Sequence, residues 1–243
     1  MKQDWHEEEF ECFVALGEST TAGGWSSSRD RCWASRLSAL ISDVQSHPVR
    51  LINSGIGANV ISTRSPSYEH SGKPAGLERL EKHVFDHKPD LLVVSYGLND
   101  ARGGTPPTQF AEDLSILVGR VRDNCDPVIV LLGPYFVTDF SVGGQAWSRA
   151  DISVFEQFNR QAATVAQALS CLFVDLLAGY DGKPWLVHHD GVHANDVGPL
   201  VVAHRIFEKL VQNCSGLARH TQALEESIPP WRDESTLQAD YGH

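Results

Sequence analysis

The sequence predicts an α/β fold with a parallel sheet covered on both faces. Short apolar runs that read as strands alternate with helical stretches along the whole chain, the pattern of βα units whose sheet is buried on either side. Several of those runs stop at glycine-rich, polar segments, and the edge of a parallel sheet where strands end is where α/β proteins place their ligands. A length of 243 residues suits one such unit with a sizeable core.

The strands are expected at residues 12–16, 50–53, 91–95, 128–132 and 172–175, each a short apolar run. Helices are expected between them at 31–44, 75–87, 108–124 and 148–169, with a last one at 196–212. The fourth-strand approach is typical: Thr108 is a capping residue followed by Glu112 and Asp113, as a helix start requires. Long connections follow the second strand (residues 63–74) and the fourth (residues 133–147). Their glycines and interspersed aromatics suit the walls of a pocket. The chain divides into an extension at 1–10, a domain at 11–212 and a polar tail at 213–243.

Four segments carry chemistry. The first run ends at Gly17-Glu18-Ser19-Thr20-Thr21, presenting a serine at the sheet edge. A helix N-cap is the bland use of such a serine, and a nucleophile the sharp one. Near the C-terminus stands His188-His189-Asp190-Gly191-Val192-His193. An acid and an imidazole three residues apart can meet on one side of a turn, so that Asp190 orients His193 and His193 takes the proton of Ser19. Taken alone, Asp190-Gly191 is ordinary turn chemistry. Leu51-Ile52-Asn53-Ser54-Gly55-Ile56-Gly57-Ala58 is a strand with a glycine-rich exit, and Gly97-Leu98-Asn99-Asp100 follows the third strand. The Asn99 side chain, a backbone N–H of the second turn and that of Ser19 can together face an oxyanion. Tyr96 and Trp185 flank two of these blocks and are candidates to touch an acyl or alcohol group.

The four segments, in their order along the chain, resemble the GDSL, or SGNH, hydrolase family across residues 11–212. The resemblance implies a flavodoxin-like three-layer α/β/α sandwich with strand order 2-1-3-4-5. It also implies a serine esterase, thioesterase or lipase that works without metal or cofactor. On that reading Ser19, Asp190 and His193 are catalytic, with Ser19, Ala58 and Asn99 forming the oxyanion hole. Two positions depart from the family pattern. Glu18 stands where the family usually has aspartate, which keeps the charge but moves the carboxylate. The family's oxyanion glycine falls on Ala58, with Gly57 as the alternative. A backbone N–H survives that change where the turn does not demand a positive φ.

Three rivals use the same residues. His188, His189, Asp190 and His193 include two histidines four apart, a spacing that zinc sites use. Ser19, Thr20 and Thr21 can hold a phosphate in a flavodoxin-like ligand binder, a reading that leaves Asn99 and His193 unexplained. A catalytically dead module on the same fold is countered by the presence of every triad residue. An ordinary α/β-hydrolase is disfavoured because Gly17-Glu18-Ser19-Thr20-Thr21 lacks the second glycine of a nucleophile elbow.

A net charge of −11 argues against nucleic acid or an anionic membrane surface as partner, leaving a small-molecule ester as the expected one. The five cysteines form no Cys-x-x-Cys pair and read as reduced thiols. No run approaches membrane-spanning length and the first residues lack a signal-peptide core, so the expectation is a soluble, cytoplasmic protein. The polar tail reads as either a frayed end or an arm packed on another subunit; Pro229-Pro230-Trp231 and Tyr241 tilt it towards the arm, and so towards a homo-oligomer of unstated size.

Overall fold

Five parallel strands form one sheet in the order β2-β1-β3-β4-β5 in a computed structural model that describes residues 3–229. The strands are β1 (Cys12–Gly17), β2 (Arg50–Gly55), β3 (Leu91–Ser95), β4 (Val128–Leu132) and β5 (Leu172–Val174). Residues of β1 and β4 are buried throughout, as expected of central parallel strands covered on both faces. The helices are α1 (Ser19–Ala22), α2 (Trp33–Val44), α3 (Tyr68–Ser71), α4 (Leu80–His83), α5 (Leu98–Arg102) and α6 (Pro107–Arg122). They continue with α7 (Ile152–Ala168), α8 (Leu176–Tyr180), α9 (Gly198–Val211) and α10 (Gly216–Glu225). Helix α2 packs on α9 and α6 packs on α7, giving the outer layers of a three-layer sandwich. No helix among the described residues is long and apolar enough to cross a membrane.

The register sets up the site. Gly17 lies opposite Gly55 on one side and Ser95 on the other, so three neighbouring strands end together. The chain segments that leave them, 18–22, 56–59 and 96–99, are therefore adjacent. This is also where the strand order reverses, the place such sheets put ligands. Gly55 is needed for close approach: a Cβ there would stand 2.1 Å from the backbone nitrogen of Ala22.

Two expectations change on the structure. The single helix expected at 75–87 is broken into α4 flanked by 3₁₀ turns at Gly76–Glu78 and Phe85–His87. The break lets Arg79 turn inward, where its guanidinium donates to the carbonyls of Ser54 (2.6 Å) and Gly17 (2.9 Å) and to the Tyr96 hydroxyl. Buried strand-end carbonyls need such donors, and the short helix supplies them at the cost of a turn of regular hydrogen bonds. The start of the tail is also helical, as α10. It is joined to the N-terminal stretch through the amide of Gly216 on the His6 carbonyl and that of Trp5 on the Asn213 carbonyl. Phe10 is fully buried, its amide and carbonyl both bonded to the Gln45 side chain. Pro230, Trp231 and Tyr241, on which the packing-arm reading rests, lie outside the described residues.

Candidate active site

Ser19 opens α1 directly after β1, and its side chain does not cap that helix. Its hydroxyl instead donates to His193 Nε2 at 2.9 Å. The His193 ring donates from Nδ1 to Asp190 Oδ2 at 2.6 Å, which fixes the tautomer that leaves Nε2 basic. The other carboxylate oxygen of Asp190 accepts the amides of Val192 and His193, both at 3.0 Å. The turn-forming and catalytic readings of Asp190 thus both hold, one oxygen for each. The loop is pinned further by the Val187–Ala194 bridge and by the amides of Thr138 and Asp139 on the Gly191 carbonyl. Gly191 itself sits at φ +78, a conformation natural to glycine.

Electrostatics favour a neutral base beside a charged partner. Burial lowers the His193 pKa below its ordinary 6.5, more than the hydrogen bond and charge of Asp190 raise it. Burial pushes the Asp190 carboxyl up, but the amides of His193 and Val192 and the imidazole outweigh it and hold it well below the usual range. Asp190 is therefore favoured as a carboxylate, placed to stabilise an imidazolium.

The oxyanion candidates face the same cleft. Ala58 and Asn99 line it together with Ser19 and His193. The Asn99 carboxamide gives one N–H to the Asn59 carbonyl at 3.1 Å, leaving its second for substrate. Ala58 adopts φ +53, so its turn does demand the left-handed conformation that alanine adopts only at a cost of about 1–2 kcal/mol. Gly57, the alternative donor, does not line the cleft; its carbonyl accepts Lys73 Nζ. Glu18, fully buried, accepts the amides of Leu98 (3.0 Å) and Asn99 (2.9 Å), one on each oxygen. Glutamate in this position thus ties the Asn99 turn to the nucleophile strand. Burial and then the neighbouring Asp100 push its pKa up, and burial raises that of Asp100 to about 7.

Two residues that sequence reasoning passed over belong here. Trp25 stacks on the His193 ring with centroids 3.4 Å apart and planes 6° from parallel. Asp196 holds the Trp25 loop in place, accepting from the Ser27 amide and hydroxyl and from Arg31 Nη1. The only signal was an aromatic residue directly after Gly23-Gly24. The second is Arg102, which lines the cleft with Val142, Gly143 and Trp147.

Tyr96 and Trp185 do not line this cleft. The Tyr96 ring is buried, its hydroxyl accepting from Arg79 and donating to Asn59 Oδ1 at 2.7 Å. Through Asn59 it braces the turn that follows β2. Trp185 is 66% exposed, with Lys183 Nζ over its ring. Of the two long connections, the one after β4 reaches the cleft through Val142, Gly143 and Trp147, whereas residues 63–74 do not.

The rival readings lose their residues. Both ring nitrogens of His193 are committed, and His189 is exposed. Among the described residues no three His, Cys, Asp or Glu side chains are grouped to hold a metal ion. Ser19 is engaged by His193 and Thr21 is buried, so residues 19–21 do not form an open phosphate cradle.

Comparison with known proteins agrees with this geometry. The model of the GDSL-like lipase/acylhydrolase family matches residues 15–199. The chain belongs to that family. It is similar to an arylesterase of Vibrio mimicus, 29% identical over 121 residues, which are 50% of this chain and 54% of the relative. The chain thus spans about half the length of that relative. It is also 24% identical to the esterase TesA of Pseudomonas aeruginosa over 187 residues, 74% of either chain. Among solved structures, a lipase/acylhydrolase from Enterococcus faecalis superposes with a TM-score of 0.65 at 21% identity, covering 82% of this chain and 95% of that one. The acetylxylan esterase Axe2 of Geobacillus stearothermophilus gives 0.62 at 18% identity, covering 86% and 96%. At such identities the likeness is one of fold.

Proposed function

We propose that this chain hydrolyses esters of compact acyl groups through a covalent acyl-enzyme on Ser19. The observation that carries the reading is the unbroken relay from Ser19 Oγ to His193 Nε2 (2.9 Å) and from His193 Nδ1 to Asp190 (2.6 Å). As the Ser19 oxygen attacks the ester carbonyl, its proton passes to Nε2, and the imidazolium so formed faces the charged Asp190. The carbonyl oxygen becomes an oxyanion, met by the N–H groups of Ser19 and Ala58 and by the free N–H of the Asn99 side chain. Collapse expels the alcohol, protonated by His193, and leaves the acyl group on Ser19. Water then attacks with His193 as base again, releasing the acid and restoring the hydroxyl.

The size of the acyl group is argued from space. The cleft beside Ser19 has a volume of about 190 Å³, which at about 30 Å³ per water-sized group holds roughly six. That supports an acetyl-to-butyryl scale rather than a long fatty chain. Trp25 and Trp147 on its walls suit an apolar or ring-bearing alcohol. A series of 4-nitrophenyl esters from acetate to decanoate tests this. Activity at acetate or butyrate at least tenfold above decanoate is expected. Activity rising steadily with chain length would refute the compact-acyl reading.

A further inference from the structure

Arg102 is at odds with its surroundings. It is 5% exposed, at the end of α5 and one turn beyond Asn99. It lines the cleft beside Ser19, Ala58, Asn99 and Trp147. A guanidinium carries five N–H donors. Among the described residues its side chain makes one hydrogen bond, from Nη2 to the Val142 carbonyl. Its Nε–H is buried and has no acceptor.

No carboxylate lies within ion-pair distance of it among the described residues. Glu18, Asp139 and Asp190 act on it only through space, and burial lowers its pKa. Arginine nonetheless stays charged in proteins. Tethering one loop carbonyl needs a single neutral donor. Burying a cation for that purpose leaves most of its desolvation uncompensated. A charge held in this way, next to the oxyanion candidates, suits an anion that arrives with the substrate.

We propose that Arg102 is a specificity-determining residue that receives a carboxylate carried by the ester substrate, a few bonds from the scissile carbonyl. The inference rests on the serine esterase reading and sharpens it. The volume of about 190 Å³ admits roughly six water-sized groups, close to the seven heavy atoms of a succinyl group. The planar fork of an arginine matches a carboxylate in geometry as well as charge. The protein's net charge of −11 repels anions at long range, so a local cation is what an acidic substrate would require. The carboxylate can sit on the acyl side or on the alcohol side of the ester.

Two isosteric pairs, followed by acid release at constant pH, separate those sources. Monoethyl succinate against ethyl levulinate varies charge on the acyl side. Acetoxyacetate against acetoxyacetone varies it on the alcohol side. In at least one pair the wild type should favour the anionic ester by tenfold or more in kcat/KM, chiefly through KM. Arg102→Met should reduce that ratio at least tenfold, and Arg102→Lys should keep part of it. Because the readout is a ratio, partial loss of folded protein cancels. A wild type with no anionic preference in either pair overturns the proposal, as does a ratio unchanged in Arg102→Met. Fluorophosphonate labelling of Ser19 with turnover of the neutral esters is a separate check. If labelling succeeds and the preference is absent, only this inference falls; if Ser19 is not labelled, the esterase reading falls first.

Discussion

Replacing Asn99 with alanine separates a catalytic role from a structural one, because the side chain's two N–H groups have different jobs. One donates to the Asn59 carbonyl at 3.1 Å. Losing that bond costs about 0.5–1.5 kcal/mol, and leaving a buried carbonyl without its donor raises the figure to about 1–3 kcal/mol. The other N–H is left over in a side chain that lines the cleft, where such a donor is strongest once charge has gathered on the substrate oxygen. Removing one such donor costs roughly 10²–10³ in kcat, about 2.7–4 kcal/mol of transition-state stabilisation, with KM little changed. The assay is kcat per folded molecule on a short-chain ester, with the folded fraction taken from a denaturant titration of the same preparation. The expected result is a modest fall in stability together with the large fall in kcat. A variant that is merely less stable, with kcat per folded molecule unchanged, would refute the role given to Asn99 and weaken the oxyanion assignment of Ala58 with it.

Other outcomes follow from the same geometry. Since burial holds the His193 pKa below 6.5, kcat/KM should rise through a pKa below that value and stay level at neutral pH. A midpoint at or above 6.5 in a pH–rate profile would contradict it. Asp100 is fully buried with its pKa raised from 3.8 to about 7, so its folded form prefers to be neutral. Its contribution to stability is complete below pH 3.8 and is lost as pH rises through 7. Asp100→Asn should therefore gain on the wild type as pH rises from 4 to 8. Paired thermal melts across that range check it, and parallel curves would contradict the assignment. Ser19→Ala or His193→Ala should each lose on the order of 10⁶ in kcat and Asp190→Ala about a hundredfold less, by analogy with a serine-protease series. Steady-state rates set beside denaturant midpoints near the wild type test that ranking.

Much of this arrangement is legible from short-range pattern. The runs at 91–95 and 128–132 coincide with β3 and β4 because a strand buried on both faces needs unbroken apolar sequence. Asp190 and His193 meet within one turn, so their spacing alone contains their contact. Ser19 and His193 lie 174 residues apart, and the expectation of their contact rests on the chemistry of a serine, an imidazole and an acid, with the family resemblance beside it, and not on spacing. What escaped reading depends on long-range choices. The stretch 75–87 has helical composition, yet Arg79 within it donates to the carbonyls of Gly17 and Ser54, partners that no local pattern announces. Tyr96 sits beside the right motif, but its buried hydroxyl is taken up by Arg79 and Asn59, contacts that its place in the sequence does not announce. Trp25 and Arg102 follow the nucleophile and Asn99 blocks, yet their contacts are with His193 and Val142, far off in sequence and without local periodicity.

The central claim is that Ser19 is the nucleophile, and covalent labelling tests it most directly. An alkyl fluorophosphonate reacts quickly only with a serine whose proton has a base to accept it, and Ser19 alone has its hydroxyl on His193 Nε2 among the described residues. Peptide mapping after labelling should place the adduct on Ser19, and His193→Ala should abolish it. An adduct on Ser26, Ser27 or Ser54 with Ser19 unmodified, or equal labelling of the His193 variant, would contradict the account.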